Sequence, residues 1–168
     1  MKRSFLAIIL MLLLAGLAFA AAKRISTTQS VEVNASAEQV WALRVDADNW
    51  AEWNPAVKKA SLVKGDGVQV GSVVEFYPLI GGKSAPKVKL TLEKSQKPSL
   101  HEFSAKAPGM DIVFGLKITE KDGVVTVTSY ETITGRGVRF FKARYGQDGL
   151  DQEHREWVEA IKEKIESK

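Results

Sequence analysis

Among the 168 residues of this chain, Ser129, Glu131 and His154 have the side chains with most to offer chemically. If Val125, Val127 and Ile133 face inward on one β-strand, the two-residue period of a strand turns Ser129 and Glu131 inward as well. A carboxylate in apolar surroundings has its pKa raised, so Glu131 could hydrogen-bond a ligand hydroxyl or act as an acid or base. His154 lies on the apolar stripe of a C-terminal helix and could come opposite Glu131. A histidine and a carboxylate make a minimal general acid–base set. Each residue also has a plainer reading, in which Glu131 pairs with a basic neighbour or a wet cavity mouth and His154 hydrogen-bonds locally.

Other chemistries lack their markers. His101 is the only other histidine, and Glu102 beside it should point to the opposite strand face. With no cysteine and no H-E-x-x-H spacing, no metal is expected. There is no G-x-S-x-G elbow, P-loop or G-x-G-x-x-G, so neither a nucleotide cofactor nor ordinary serine hydrolysis is expected; the cofactor expectation is none. A different chemistry is offered between Gly135 and Gln147, where Arg136, Arg139, Lys142 and Arg144 alternate with Phe140, Phe141 and Tyr145 without an acidic residue. Basic and aromatic side chains together suit an anionic membrane interface. The alternative is that the phenylalanines anchor a helix while the charges stay in water.

These residues need elements to position them. Ser26 to Asn34 alternates around Val31 and Val33 as a first strand. Ser36 and Gln39 have the spacing of a capping box, opening a short helix with Val40, Trp41 and Leu43 on its apolar side. A second short helix or turn carries Asp48, Trp50 and Trp53 and stops at Pro55. From Val57 to Thr134, β-prone runs are divided by Gly65-Asp66-Gly67, Gly81-Gly82, Lys97-Pro98, Pro108-Gly109 and Asp122-Gly123, the pattern of an antiparallel meander. Val88, Leu90 and Leu92 form one dry face, and Met110, Ile112, Phe114, Leu116 and Ile118 another. The last segment changes to spacings of three and four: Leu150, His154, Trp157, Val158, Ile161 and Ile165 form a stripe, with Glu153, Glu156, Glu159, Lys162 and Glu163 on the polar side.

The N-terminus sets a location. Lys2 and Arg3 precede an uncharged run from Phe5 to Ala22, and Ala18-Phe19-Ala20 and Ala20-Ala21-Ala22 both fit a signal-peptidase site. The same run meets the roughly 18-residue threshold for spanning a bilayer, with Lys23-Arg24 as anchors. Residues 1–22 are therefore expected to be a signal peptide or a membrane anchor, and residues 23–168 one domain, exported or tethered. Without Lys2 and Arg3 the formal charge falls from +4 to +2, so no nucleic-acid footprint is expected. With no cysteine, a packed core must stabilise the domain without disulfides.

Val31-Glu32-Val33-Asn34-Ala35-Ser36-Ala37-Glu38-Gln39-Val40-Trp41, then Asp48-Asn49-Trp50-Ala51-Glu52-Trp53-Asn54-Pro55, Gly71 opening a strand, and Glu131-Thr132 before Gly135 carry a family resemblance. Over residues 25–167 the chain resembles the START/Bet v 1-like (SRPBCC) superfamily, in its polyketide cyclase/dehydrase and lipid-transport group. That resemblance implies an α+β helix-grip fold, in which a curved antiparallel sheet of about seven strands wraps a long C-terminal helix and two short helices follow the first strand. It also implies a cavity between sheet and helix for apolar or aromatic molecules. Phe76, Leu90, Leu92, Phe103, Phe114, Ser129, Glu131, His154, Trp157 and Ile161 are the expected lining. Trp41, Trp50 and Trp53 are expected to seal the base. The leading expectation is a monomeric carrier for a small hydrophobic or lipid-like ligand. A cyclase, dehydratase or aromatase using Glu131 and His154 is the second, and a protein-interaction module with a filled cavity the third.

Overall fold

Two local signals set the start of the fold. The Ser36 hydroxyl accepts from the Gln39 backbone N–H at 3.3 Å, and the Gln39 side chain accepts from the Ser36 N–H at 2.9 Å, so both halves of the capping box are present. Pro55 cannot continue a helix, and the Asn54 side-chain oxygen takes the Ala56 N–H at 2.8 Å, turning the chain into the sheet. In the computed structural model, which describes residues 24–167, the elements follow in order. They are β1 (Arg24–Val33), α1 (Ala37–Val45), a 3-10 turn (Ala47–Asn49), α2 (Trp50–Trp53), β2 (Val57–Lys64), β3 (Val73–Ile80) and the two-residue β4 (Lys83–Ser84). Then come β5 (Val88–Gln96), β6 (Leu100–Ala107), β7 (Met110–Lys121), β8 (Val124–Thr134), α3 (Val138–Arg144) and α4 (Gly146–Glu166). The leader expected at residues 1–22 lies outside the described residues, and no helix among them is long and apolar enough to cross a membrane.

The strands form one antiparallel sheet in the order β1-β8-β7-β6-β5-β3-β2, with β4 paired to β3. Hairpins of low sequence separation build most of it. Asp122 and Gly123 both adopt positive φ, 53° and 78°, the requirement of a two-residue type I′ turn, and they join β7 to β8 with Lys121 opposite Val124. This is the helix-grip fold, an α+β arrangement in which the sheet curls around α4.

Period two decides which residues reach the helix. On β8, Val125, Val127, Ser129 and Ile133 are buried, and on β7 Phe114, Leu116 and Ile118 are buried. On the outer face Tyr130 folds over Gly115 to donate to Glu102 at 2.6 Å; any side chain at position 115 would collide with that ring. The core has three parts. Trp50, Phe76, Phe103, Phe114 and Trp157 dominate one, Trp41, Leu116, Val127 and Ile161 the second, and Ile25, Ile80, Ile133, Phe141 and Leu150 the third.

Two local expectations change. The stretch after β8 contains a helix, α3, where the sequence shows only a basic-aromatic link. Its N-terminus is Gly137, with no side-chain cap, so the usual start signal is absent. Glu153, placed on the polar side of α4 by spacing, is 4 % exposed. The sheet wraps α4 through a wider arc than one apolar stripe, so a residue flanking the stripe is also covered.

Candidate functional site

β8 and α4 bring three polar side chains into line. Ser129 Oγ lies 2.8 Å from Nδ1 of His154, and Nε2 of His154 lies 2.9 Å from Oε2 of Glu131. Ser129 and His154 are fully buried, and only Glu131 at the end of the row reaches a cavity. Ser129 is therefore the inner anchor of the imidazole, and its hydroxyl is not presented to a ligand. If the Ser129 hydroxyl donates to Nδ1, the proton of neutral His154 sits on Nε2 and is given to the Glu131 carboxylate.

Glu153 completes the polar cluster. Its carboxyl, that of Glu131 and the His154 imidazole offer ligand atoms all within 4.8 Å of one another, so these three residues could hold a divalent cation although the sequence carries no metal motif. Burial pushes the Glu153 carboxyl well above its ordinary range, and the negative charges of Glu131 and Glu156 push it further. Two carboxyls on one cavity wall, one of them held toward its neutral form, are the arrangement that lets one act as acid and the other as base.

The cavity has a volume of ≈ 170 Å³. Phe76, Leu90, Ile112, Phe114 and Ile133 make its apolar wall, Phe141 and Tyr145 reach it from the α3 side, and Glu131 and Glu153 are its carboxyls. Pro86, Lys87, Lys106 and Pro108 line it while exposed to solvent, which places its mouth between the ends of β5 and β6. Among the residues expected to line a cavity, Phe76, Leu90, Phe114 and Glu131 do so. Leu92, Phe103 and Trp157 instead pack in the aromatic core, Ile161 packs with Trp41 and Val127, and Ser129 and His154 stand behind Glu131. Trp41 and Trp50 are buried, and Trp53 is partly buried against the same core. Of the residues expected to touch a membrane, Arg136, Arg139, Phe140, Lys142 and Arg144 are exposed, with Arg139 stacked over the Phe140 ring at 4.6 Å. Phe141 is a correction: it turns inward and lines the cavity, because a helix sends adjacent residues to different faces.

One residue went unnoticed in the sequence. Arg44, at the end of α1, is 0 % exposed, and its guanidinium carbon lies 4.5 Å from the Trp50 ring centre, 4.6 Å from Phe114, 4.8 Å from Trp157 and 5.5 Å from Phe103. None of its side-chain nitrogens has a hydrogen-bond partner among the described residues. Loss of solvation lowers its pKa to about 9, opposed by the Tyr130 phenol, so it stays cationic at neutral pH. Its charge adds to burial in bringing His101 down to about 3. The signal was available: Arg44 follows Val40 by four and Trp41 by three, which is the buried face of α1.

Comparison with known proteins agrees with this architecture. A family model described as polyketide cyclase/dehydrase and lipid transport matches residues 24–166. Among solved structures, Ara h 8.0201 is 17 % identical, with 86 % of this chain and 99 % of that one covered at a TM-score of 0.65. The Zhui aromatase/cyclase of Streptomyces sp. R1128 is 14 % identical, with 85 % and 94 % covered at 0.65. A START superfamily protein from Mycobacterium smegmatis is 16 % identical, with 81 % and 98 % covered at 0.56. Comparison with curated proteins gives no match. At these identities the structural likeness establishes the fold.

Proposed function

The chain belongs to the polyketide cyclase/dehydrase and lipid-transport family over residues 24–166, and from that premise we propose that it is a carrier for a small, largely apolar molecule. The cavity carries this reading: ≈ 170 Å³, mostly apolar walls, and two carboxyls at one side. A dry cavity of about 150 Å³ takes up benzene, so a single ring or a short chain suits this volume better than a two-chain lipid. Burial of the apolar body supplies affinity at about 25 cal/mol per Å². Glu131 and Glu153 orient a ligand hydroxyl or amine. Native mass spectrometry of the full chain purified from its own compartment tests the proposal: a co-purifying small molecule supports it. Absence of any such molecule, together with no uptake of benzyl alcohol, overturns it.

A second reading, an acid–base enzyme of dehydratase, cyclase or aromatase type, is favoured by the row from Ser129 through His154 to Glu131. Glu131, oriented by His154, would take a proton from a substrate carbon or hydroxyl, and protonated Glu153 would give one to a departing hydroxyl, which leaves as water. Glu131→Gln separates the two: turnover lost with binding retained identifies the enzyme, and weaker binding with no turnover in either form identifies the carrier. A third reading is an interaction module for another exported protein, which predicts a cavity filled by the chain's own side chains and no extractable ligand.

Location is part of the proposal. The basic n-region and apolar run of residues 1–22 support export or tethering of the domain. The outward face of α3, with exposed Phe140 among Arg139, Lys142 and Arg144, supports contact with an anionic lipid surface. Co-sedimentation with anionic but not neutral vesicles is expected; binding to neither rules the contact out.

A further inference from the structure

Arg44 carries an inference beyond the carboxyl site. A buried cation without a counter-ion costs several kcal/mol, and each unpaired buried donor adds to that cost. The surrounding rings offset part of it, because their negative faces attract a desolvated cation. Ring faces do not satisfy the donors at the edge of a planar guanidinium, however, and this side chain presents five N–H groups there. The indole N–H of Trp157, whose ring stacks with Arg44, also has no partner among the described residues. His101 does not answer this need directly: its Nε2–H is donated to the Gly67 carbonyl at 2.8 Å, and its Nδ1 is unpartnered. The cage is thus rich in donors and cationic, and the unpartnered His101 Nδ1 is not within hydrogen-bond range of Arg44.

We propose that Arg44 and the Trp157 indole N–H form an anion site for a carboxylate, reached from the cavity past the Phe114 ring. Phe76 and Phe114 line the cavity on one side, and both belong to the core cluster that contains Trp50 and Trp157. Phe114 is itself 4.6 Å from the guanidinium carbon, so one ring thickness separates the compartments. A guanidinium fork matches the two oxygens of a carboxylate, and that geometry distinguishes Arg from Lys. Glu131 is the cross-strand neighbour of Phe114 and repels an acid held on the cavity side of that ring, whereas the guanidinium beyond the ring attracts one, so an acidic ligand is held in one orientation, acid toward Arg44. This inference rests on the cavity being a ligand site, and it names the class of ligand: small apolar acids, with free carboxylate anions as the alternative source of the same group.

Benzoate, benzyl alcohol and acetate, each titrated into the full chain with tryptophan fluorescence and melting temperature as readouts, test it. Trp50 and Trp157 stack on Arg44, so occupancy changes their emission. Benzoate is expected to bind at least tenfold more tightly than benzyl alcohol, and Arg44→Met to abolish that difference while leaving the alcohol bound. Arg44→Lys, which keeps charge without the fork, is expected to recover only part of it. If acetate alone shifts wild type and not Arg44→Met, the site takes free carboxylates, and the inference stands while the cavity proposal loses support. Equal binding of acid and alcohol by wild type overturns the anion site and leaves the cavity intact. A preference for acid that survives in Arg44→Met, or no response to benzoate and acetate, also overturns it. Should Arg44→Met fail to fold, Arg44→Lys supplies the same comparison, and an unchanged acid preference there counts against the fork.

Discussion

His101 and Glu153 are buried ionisable groups whose pKa values move in opposite directions relative to solvent, and each makes stability depend on pH. His101 is held at about 3 against an ordinary 6.5. The folded state therefore binds fewer protons than the unfolded chain below pH 6.5, and stability is lost as pH falls from there toward 3. Glu153 is raised above 4.5, so the folded state holds a proton that the unfolded chain has released, and stability falls as pH rises from 4.5 toward its folded value. Glu131, Glu156 and His154 face or flank that carboxyl, and the first two are the charges that raise it. Chemical denaturation across pH should show Glu153→Gln losing the alkaline-side decline, whose slope is at most about 1.4 kcal/mol per pH unit for one group. An unchanged slope in that variant would assign the decline to other groups. At this scale the sequence was half legible. Strand period placed Glu131 and Ser129, and the helical stripe placed His154. Glu153 was hidden because a charged side chain next to an apolar stripe ordinarily belongs to water, and the curl of the sheet covers it; Arg44 was overlooked for its charge although its spacing from Val40 and Trp41 put it on the buried face of α1.

Elements account for the next set of effects. The capping box of α1 is exposed and local, so Ser36→Ala should cost about 1 kcal/mol in equilibrium unfolding without altering the cavity. A loss near zero would mean that packing of Val40, Trp41 and Arg44 alone holds the helix. On α3, neighbouring phenylalanines separate two roles. Phe140 is 66 % exposed, whereas Phe141 is buried and lines the cavity. Phe140→Ser is expected to leave stability within about 0.5 kcal/mol and to weaken vesicle binding. Phe141→Ala is expected to cost about 3 kcal/mol and admit a larger ligand. Reversal of the two phenotypes in unfolding and co-sedimentation assays would invalidate the division of α3 into an outer and an inner face. The strands were readable from their period and the turn residues between them, α1 from its capping box, and α4, uncapped as well, from the length of its apolar stripe. α3 lacks a cap, and its basic-aromatic composition said more about its surroundings than about its conformation.

At the scale of the molecule, the helix-grip fold divides the space between sheet and α4 into a filled part and an open part. Trp50, Phe76, Phe103, Phe114 and Trp157 fill the first around Arg44. Apolar walls and two carboxyls bound the second. The family and fold were legible because the order of elements and the Trp50, Trp53 and Pro55 cluster survive in a linear string. How much of the space stays open was not, since cavity size depends on side chains from five strands and two helices meeting at once. One contact bears on that size. The Gly149 backbone at the start of α4 packs on Gly81 in the β3–β4 turn, and a Cβ at 149 would lie 3.7 Å from Gly81, Ile80 and Tyr145, within ordinary contact. Gly149→Ala should therefore fit, and should stabilise the fold by up to about 1 kcal/mol by favouring helix over the unfolded chain. Larger side chains at 149 have no such room. They would act as wedges of graded thickness between helix and turn, so that ligand size could be set by a dial placed outside the cavity it controls.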